Sequence, residues 1–157
     1  MKNIILCGFK SGGKTTLAKK IAEKTGLHYI DTDHLVAKNP REFYLEVGEE
    51  AFREHERKVI VALAEFQNAV IDTGGGMVLD PANFAVFKKM GTLLYLRVPK
   101  EVLKERLLQD PLPAFIDPER PEESFERMYD SRKHLYETVA DVIIDSEEQV
   151  WSIVELL

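Results

Sequence analysis

Five short apolar runs punctuate the chain, at 3–7, 28–30, 69–72, 92–98 and 142–144, and none alternates apolar with polar positions. Unbroken apolarity at this length is the pattern of strands covered on both faces. Between the runs lie longer stretches of helical period. Over 14–24, Leu17, Ile21 and Ala22 form an inner stripe and Gly26 follows as a stop signal. Over 49–66, Phe52, Val59, Ile60, Leu63 and Phe66 recur at helical spacing. Strands alternating with helices at this rhythm predict an α/β fold of three layers, with about five parallel strands and helices on both faces. No repeat or linker breaks the rhythm, so 1–157 reads as one domain.

The rhythm fails in one place. Residues 109–121 hold Pro111, Pro113, Pro118 and Pro121, four of the seven prolines. Proline removes backbone donors and fixes φ, so neither a helix nor a central strand is expected there. A long proline-bearing loop in a domain of this size is a lid or a disordered excursion.

Composition narrows the possible partners. The 157 residues include 21 Lys+Arg against 27 Asp+Glu, a net charge of −6. That balance argues against nucleic acid, and any anionic ligand must be held by a few placed groups rather than by the overall field. The single cysteine, Cys7, cannot form an internal disulfide and argues against a zinc site. The first apolar run, Ile4-Ile5-Leu6-Cys7, is too short for a signal-peptide core or a membrane span. A cytoplasmic monomer working on small molecules is the expectation.

Gly8-Phe9-Lys10-Ser11-Gly12-Gly13-Lys14-Thr15 fits G-x-x-x-x-G-K-[ST], between a predicted buried strand and a predicted helix. In that setting backbone N–H groups curl around a β-phosphate, Lys14 reaches the β/γ oxygens and the Thr15 hydroxyl can ligate Mg²⁺. The alternative, a glycine-rich turn matching by chance, does not explain the flanking strand and helix. No N-K-x-D segment is present to read guanine, so ATP is expected. The nucleotide set is Gly8, Ser11, Gly12, Gly13, Lys14, Thr15 and Thr16, with Arg106 as an adenine-stacking candidate.

Three further features bear on an acceptor. Asp31-Thr32-Asp33 ends the second strand, placing two carboxylates at the sheet edge where ligands bind in open α/β folds; helix capping by Asp33 is the alternative. In Phe52-Arg53-Glu54-His55-Glu56, Arg53 and Glu56 share a helix face, so the carboxylate can hold the guanidinium. Alone, that pattern is more often a solvated ion pair. Gly74-Gly75-Gly76 directly follows the third strand and permits close backbone approach to a ligand, or makes a plain tight turn.

Together and in this order, these residues resemble shikimate kinases, whose pattern runs P-loop, D-x-D, F-R-x-x-E, G-G-G, lid and R-x-x-L-Y-x-x-x-A-D. The last is supplied by Arg132-Lys133-His134-Leu135-Tyr136-Glu137-Thr138-Val139-Ala140-Asp141, and the resemblance runs from Met1 to about Val142. It implies a P-loop kinase fold and transfer of the ATP γ-phosphate to the 3-hydroxyl of shikimate. Asp33 would bind and deprotonate or orient that hydroxyl. Asp31 would help hold Mg²⁺ through water beside Thr15. Arg53 and Arg132 would grip the acceptor carboxylate, with Gly74, Gly75 and Gly76 close by, and Lys14 would stabilise the transferred charge. The acceptor region would span about 33–60 and the lid about 109–121.

The chain departs from the family at the lid. Shikimate kinases carry R-P-L-L there; Leu112-Pro113-Ala114-Phe115 puts leucine in place of the arginine, and the register starting at Asp110 has none either. Arg120 and Arg106 are the candidate substitutes. The segment between Asp33 and Phe52 is somewhat short, and Asp72 stands at a strand end where the family usually has a small residue; it is either a water-mediated Mg²⁺ partner or a solvated strand end. Alternatives to a shikimate kinase are a kinase for another small hydroxy acid such as gluconate, or a related nucleotide-binding module with little phosphotransfer.

Overall fold

The computed structural model describes residues 2–109 and 111–157; Asp110, in the shifted lid register, lies outside the described residues. All five apolar runs are strands: β1 (Asn3–Cys7), β2 (His28–Asp31), β3 (Ala69–Asp72), β4 (Gly91–Leu96) and β5 (Val142–Ile144). They form one sheet in the order β2-β3-β1-β4-β5, every pairing parallel. The fourth strand ends two residues before its predicted limit, because Val98 and Pro99 lead into the next helix. The chain builds β2 and β3 on one side of β1, then crosses to build β4 and β5 on the other. The carboxyl ends of β1 and β3 meet at that reversal, where open α/β sheets bind ligands.

Side chains on β1 alternate between two cores. Ile4 and Leu6 face α1 (Lys14–Thr25) and α7 (Glu147–Val154), packing with Leu17, Ala18, Ile21, Val150 and Val154. Ile5 and Cys7 face the larger core under α2 (Thr32–Val36), α3 (Pro40–Leu63), α4 (Pro81–Met90), α5 (Lys100–Leu107) and α6 (Pro121–Val139). The predicted three-layer arrangement is present, with the helices unequally shared. Cys7 is fully buried and its thiol is pushed up to about 12 by that burial, so it is inert packing. Asn3, at the opposite end of β1, is buried and closes the base of the sheet: its amide donates to the carbonyls of Phe66 (2.7 Å) and Met90 (3.3 Å) and accepts from the Ala69 N–H (3.0 Å).

The predicted 49–66 helix is the second half of α3. Asn39 caps α3 through the Glu42 N–H, and Pro40 opens it. The helix breaks at Gly48 (φ 86°, ψ 170°), a conformation that only glycine adopts freely. It ends at Leu63, so Phe66, expected as the last residue of the stripe, falls outside the helix and is exposed, its ring edge-on to His28. Of the predicted lid, 109–121, the described residues before Pro121 contain no helix or strand, and Pro121 opens α6. Pro113 and Ile116 are buried and pin the segment, which carries turns closed by Ile116 N–H to Pro113 O and Arg120 N–H to Asp117 O. Trp151 packs on the α1–α7 core under the Lys24 ammonium. No helix among the described residues is long and apolar enough to cross a membrane.

Candidate active site

The loop after β1 wraps its own lysine. Lys14 Nζ donates to the carbonyls of Gly8 (2.9 Å) and Phe9 (2.8 Å), and the side chain is buried. Burial lowers the pKa of its ammonium, while Asp72 and Asp33 nearby favour the charge. Gly13 is left-handed (φ 91°) where the loop turns into α1. Behind the loop, Phe9 stacks on Tyr129 (5.1 Å between ring centres) and meets the edge of Tyr136 (4.9 Å), which itself stacks on Tyr95. The Tyr136 hydroxyl donates to the carbonyl of Gly75. The tyrosine of the sixth motif thus binds the phosphate loop to the triple glycine.

At the sheet edge, Asp31 on β2 and Asp72 on β3 are register partners. Asp72 is buried, not a solvated strand end, and its Oδ2 accepts from the Thr15 hydroxyl at 2.5 Å. The Tyr29 hydroxyl lies between the two acids, 3.4 Å from Asp72 Oδ2 and 3.5 Å from Asp31 Oδ2. Burial and the two neighbouring carboxylates raise its pKa, so it remains a neutral donor. The cap of α2 is Asp31, which accepts from the N–H groups of Asp33 and His34; the expected alternative of capping by Asp33 is incorrect. Asp33 is thereby left free to face the cavity, with its pKa raised by burial and by Asp31, against the pull of Lys14. Asp72 is likewise raised by burial.

Arg53 and Glu56 form a buried pair rather than a solvated one: Nη1 to Oε1 is 2.5 Å and the Glu56 side chain is 1% exposed. Burial raises the Glu56 pKa, and Arg53 opposes the rise. The triple glycine is shaped to these groups. A Cβ at Gly76 would sit 2.7 Å from Arg53 Nη2, and one at Gly74 would overlap the Asp33 carboxylate. Neither glycine is there merely to turn the chain. Arg132 stands over the Phe115 ring of the lid segment (5.3 Å). Arg106 Nη1 donates to the Ser11 carbonyl at 3.1 Å.

These groups line one cavity of about 800 Å³, the size of a small-molecule site. Its wall includes Ser11, Gly12, Gly13, Lys14, Thr15, Thr16, Arg106, Asp31, Asp33, Arg53, Gly75, Gly76 and Arg132. Gly8 and Gly74 stand just behind the wall, the first accepting from Lys14 and the second against Asp33. Of the two candidate lid arginines, only Arg106 is at the cavity. Arg120 is 73% exposed, 3.6 Å from Glu123, because it heads α6 on the outer side of the segment. The sequence did not single out Arg41 and Tyr44, which the first turns of α3 bring to the wall. The signal available was Asn39-Pro40, a helix start that fixes where the next turn points.

Residues 10–156 match the family model for shikimate kinase. The chain belongs to the shikimate kinase family. The Aromatoleum aromaticum shikimate kinase is 37% identical over 147 residues, covering 90% of this chain and 83% of that one. The shikimate kinase of Caldicellulosiruptor bescii is 44% identical over 117 residues, 70% of this chain and 66% of that one. Among solved structures, a shikimate kinase from Acinetobacter baumannii in complex with shikimate superposes with a TM-score of 0.89 at 28% identity, covering 99% of this chain and 92% of that one. The Aquifex aeolicus shikimate kinase gives 0.81 at 27% identity, with coverages of 98% and 94%. The five-stranded parallel sheet with helices on both faces is the P-loop fold of the shikimate kinases.

Proposed function

We propose that the protein transfers the γ-phosphate of ATP to the 3-hydroxyl of shikimate, giving shikimate 3-phosphate and ADP. The observation that carries this is one cavity in which Lys14 and Thr15 of the phosphate loop face Asp33, with Arg53 and Arg132 on the same wall. A monomer acting on small molecules is the expected state. The unpaired, buried Cys7 is compatible with a reducing cytoplasm. Residues 33–60 would form the acceptor side and 109–121 the lid of a single domain.

The loop N–H groups and Lys14 cradle the β- and γ-phosphates, with Lys14 exchanging its two carbonyl partners for phosphate oxygens. Arg106, already on the Ser11 carbonyl, borders the nucleoside end. Arg53, fixed by Glu56, and Arg132 offer planar forks to the acceptor carboxylate, a geometry that an ammonium does not match. Asp33 then accepts the proton of the acceptor hydroxyl as that oxygen bonds to the γ-phosphorus and the bond to the β,γ-bridging oxygen breaks. Its raised pKa makes it a stronger base than an exposed carboxylate.

Thr15, Asp31 and Asp72 present only oxygen donors at one sheet edge, which fits Mg²⁺. No cluster of three or more acidic, histidine or cysteine side chains arranged to hold a metal occurs among the described residues. That is compatible with an ion shared between one or two carboxylates and the nucleotide phosphates. When bound, it neutralises phosphate charge; Thr15 and the two aspartates would hold it, directly or through water.

A coupled ADP-release assay with shikimate, with and without Mg²⁺, tests this. Mg²⁺-dependent turnover is expected. Turnover with gluconate but not shikimate would overturn the acceptor assignment, and nucleotide binding without turnover on either acid would overturn the kinase.

A further inference from the structure

The lid segment carries one cation of its own, Arg120, and it points outward. A different arginine reaches the segment from inside. Arg41, in the first turn of α3, is half-buried and donates from Nε to the carbonyl of Leu112 at 2.9 Å, across 71 positions of sequence. It lines the same cavity as Lys14 and Asp33. We infer that Arg41 is a phosphoryl-contacting arginine, carried by α3 and locked to the lid at Leu112, that stabilises the group in transfer. This rests on the kinase function proposed above.

Of the other cations of the wall, Lys10 is an exposed ammonium on the phosphate loop, a point charge with no planar fork, and the rest have partners. Arg53 is held by Glu56 and Lys20 by Glu147. Lys14 lies on the loop carbonyls among Asp72 and Asp33, Arg106 lies on Ser11, and Arg132 lies over Phe115. Arg41 makes no ion pair among the described residues. Its Nε–H is spent on Leu112, which fixes the plane of the guanidinium and leaves both terminal nitrogens without a hydrogen-bond partner among the described residues. A planar cation without a carboxylate partner, held at the inner edge of a lid, suits an oxyanion that arrives only when substrates are bound. Charge on a transferring phosphoryl group is where such a cation acts most strongly, since one arginine there changes turnover by roughly 10³–10⁵. Lysine could supply charge but not the simultaneous bond to Leu112 in the same plane, and glutamine could supply that bond but no charge.

Three variants separate these contributions in steady-state kinetics. Arg41→Ala is expected to lower kcat about 100-fold or more while moving KM for either substrate less than about threefold. Arg41→Lys should recover about tenfold of the loss, and Arg41→Gln should stay as low as the alanine variant. Unchanged kcat in Arg41→Ala, a loss confined to the acceptor KM, or near-normal turnover by Arg41→Gln would each overturn the assignment; the last is what a purely mechanical strap gives. Wild-type turnover on gluconate but not shikimate would defeat the acceptor assignment alone, and the same variants are then read on gluconate. Calorimetric titration needs no acceptor. With Mg²⁺ present, Arg41→Ala should weaken binding of ADP with aluminium fluoride, a mimic of the phosphoryl in flight, at least about tenfold, and ADP alone less than about threefold. Equal changes in the two titrations would overturn the role.

Discussion

Asp33 is the residue on which chemistry and stability pull in opposite directions. Burial and the Asp31 charge raise its folded pKa, so its ionised form costs stability at neutral pH and the cost disappears as pH falls through the raised value. Asp33→Asn should therefore raise the thermal midpoint at pH 7 while lowering kcat by roughly 10²–10⁴, the range for a lost general base. A fall in midpoint together with retained turnover would contradict both halves. The same sign governs the pH profile of the intact enzyme. With Asp33 as the proposed base, the acid limb of kcat/KM should lie above the ordinary aspartate value of about 3.9, and it should vanish from the residual activity of Asp33→Asn. Gly76 makes a complementary prediction. A methyl there meets the Arg53 guanidinium, so Gly76→Ala should raise the acceptor KM about tenfold or more with a smaller effect on kcat.

At the scale of elements, α3 does two jobs joined by its break at Gly48. The half before it carries Arg41 and Tyr44 to the cavity; the half after it carries Phe52, Arg53 and Glu56. The break lets two helical segments approach one site at different angles. Any side chain at position 48 must take a positive φ with ψ near 170°, although nothing lies within 4 Å of the space a Cβ would fill. Gly48→Ala should thus cost about 1–3 kcal/mol from backbone strain alone, seen as a lower urea midpoint at unchanged slope. An unchanged midpoint would show that the angle is not enforced by this residue. The lid shows the opposite design. Proline removes regular structure, yet Pro113 and Ile116 are buried, so the segment is anchored at its middle and its polar flanks are free to carry function.

For the whole molecule, the cavity concentrates cations in a protein of net charge −6. Two anionic substrates entering it should stabilise the fold by mass action. At a ligand concentration of about 100 Kd the gain is about 2.7 kcal/mol, which for a domain of this size raises the midpoint by roughly 5–10 °C. Mg²⁺ with ATP should produce that shift by differential scanning fluorimetry; no shift would contradict a nucleotide site.

The parts of this protein legible in the sequence are those whose cause is local. Strand runs, the α1 stripe with Gly26 as its stop and the eight-residue phosphate loop depend on neighbours a few positions apart, and periodicity records them. The order of site motifs was legible too, because each is a contiguous signature. What only the tertiary structure decided are pairings across long stretches of chain. Asp31 and Asp72 share a register, Asn3 ties together Phe66, Ala69 and Met90, and Arg41 meets Leu112. By distance in sequence, Arg106 and Arg120 both stand far nearer the lid than Arg41. The helix that Arg120 heads turns it outward, while the sheet crossover and the α3 break bring in an arginine from the far side. Proximity along the chain sets local conformation, but which charge faces a substrate is fixed by the packing of elements whose contacts no local pattern encodes.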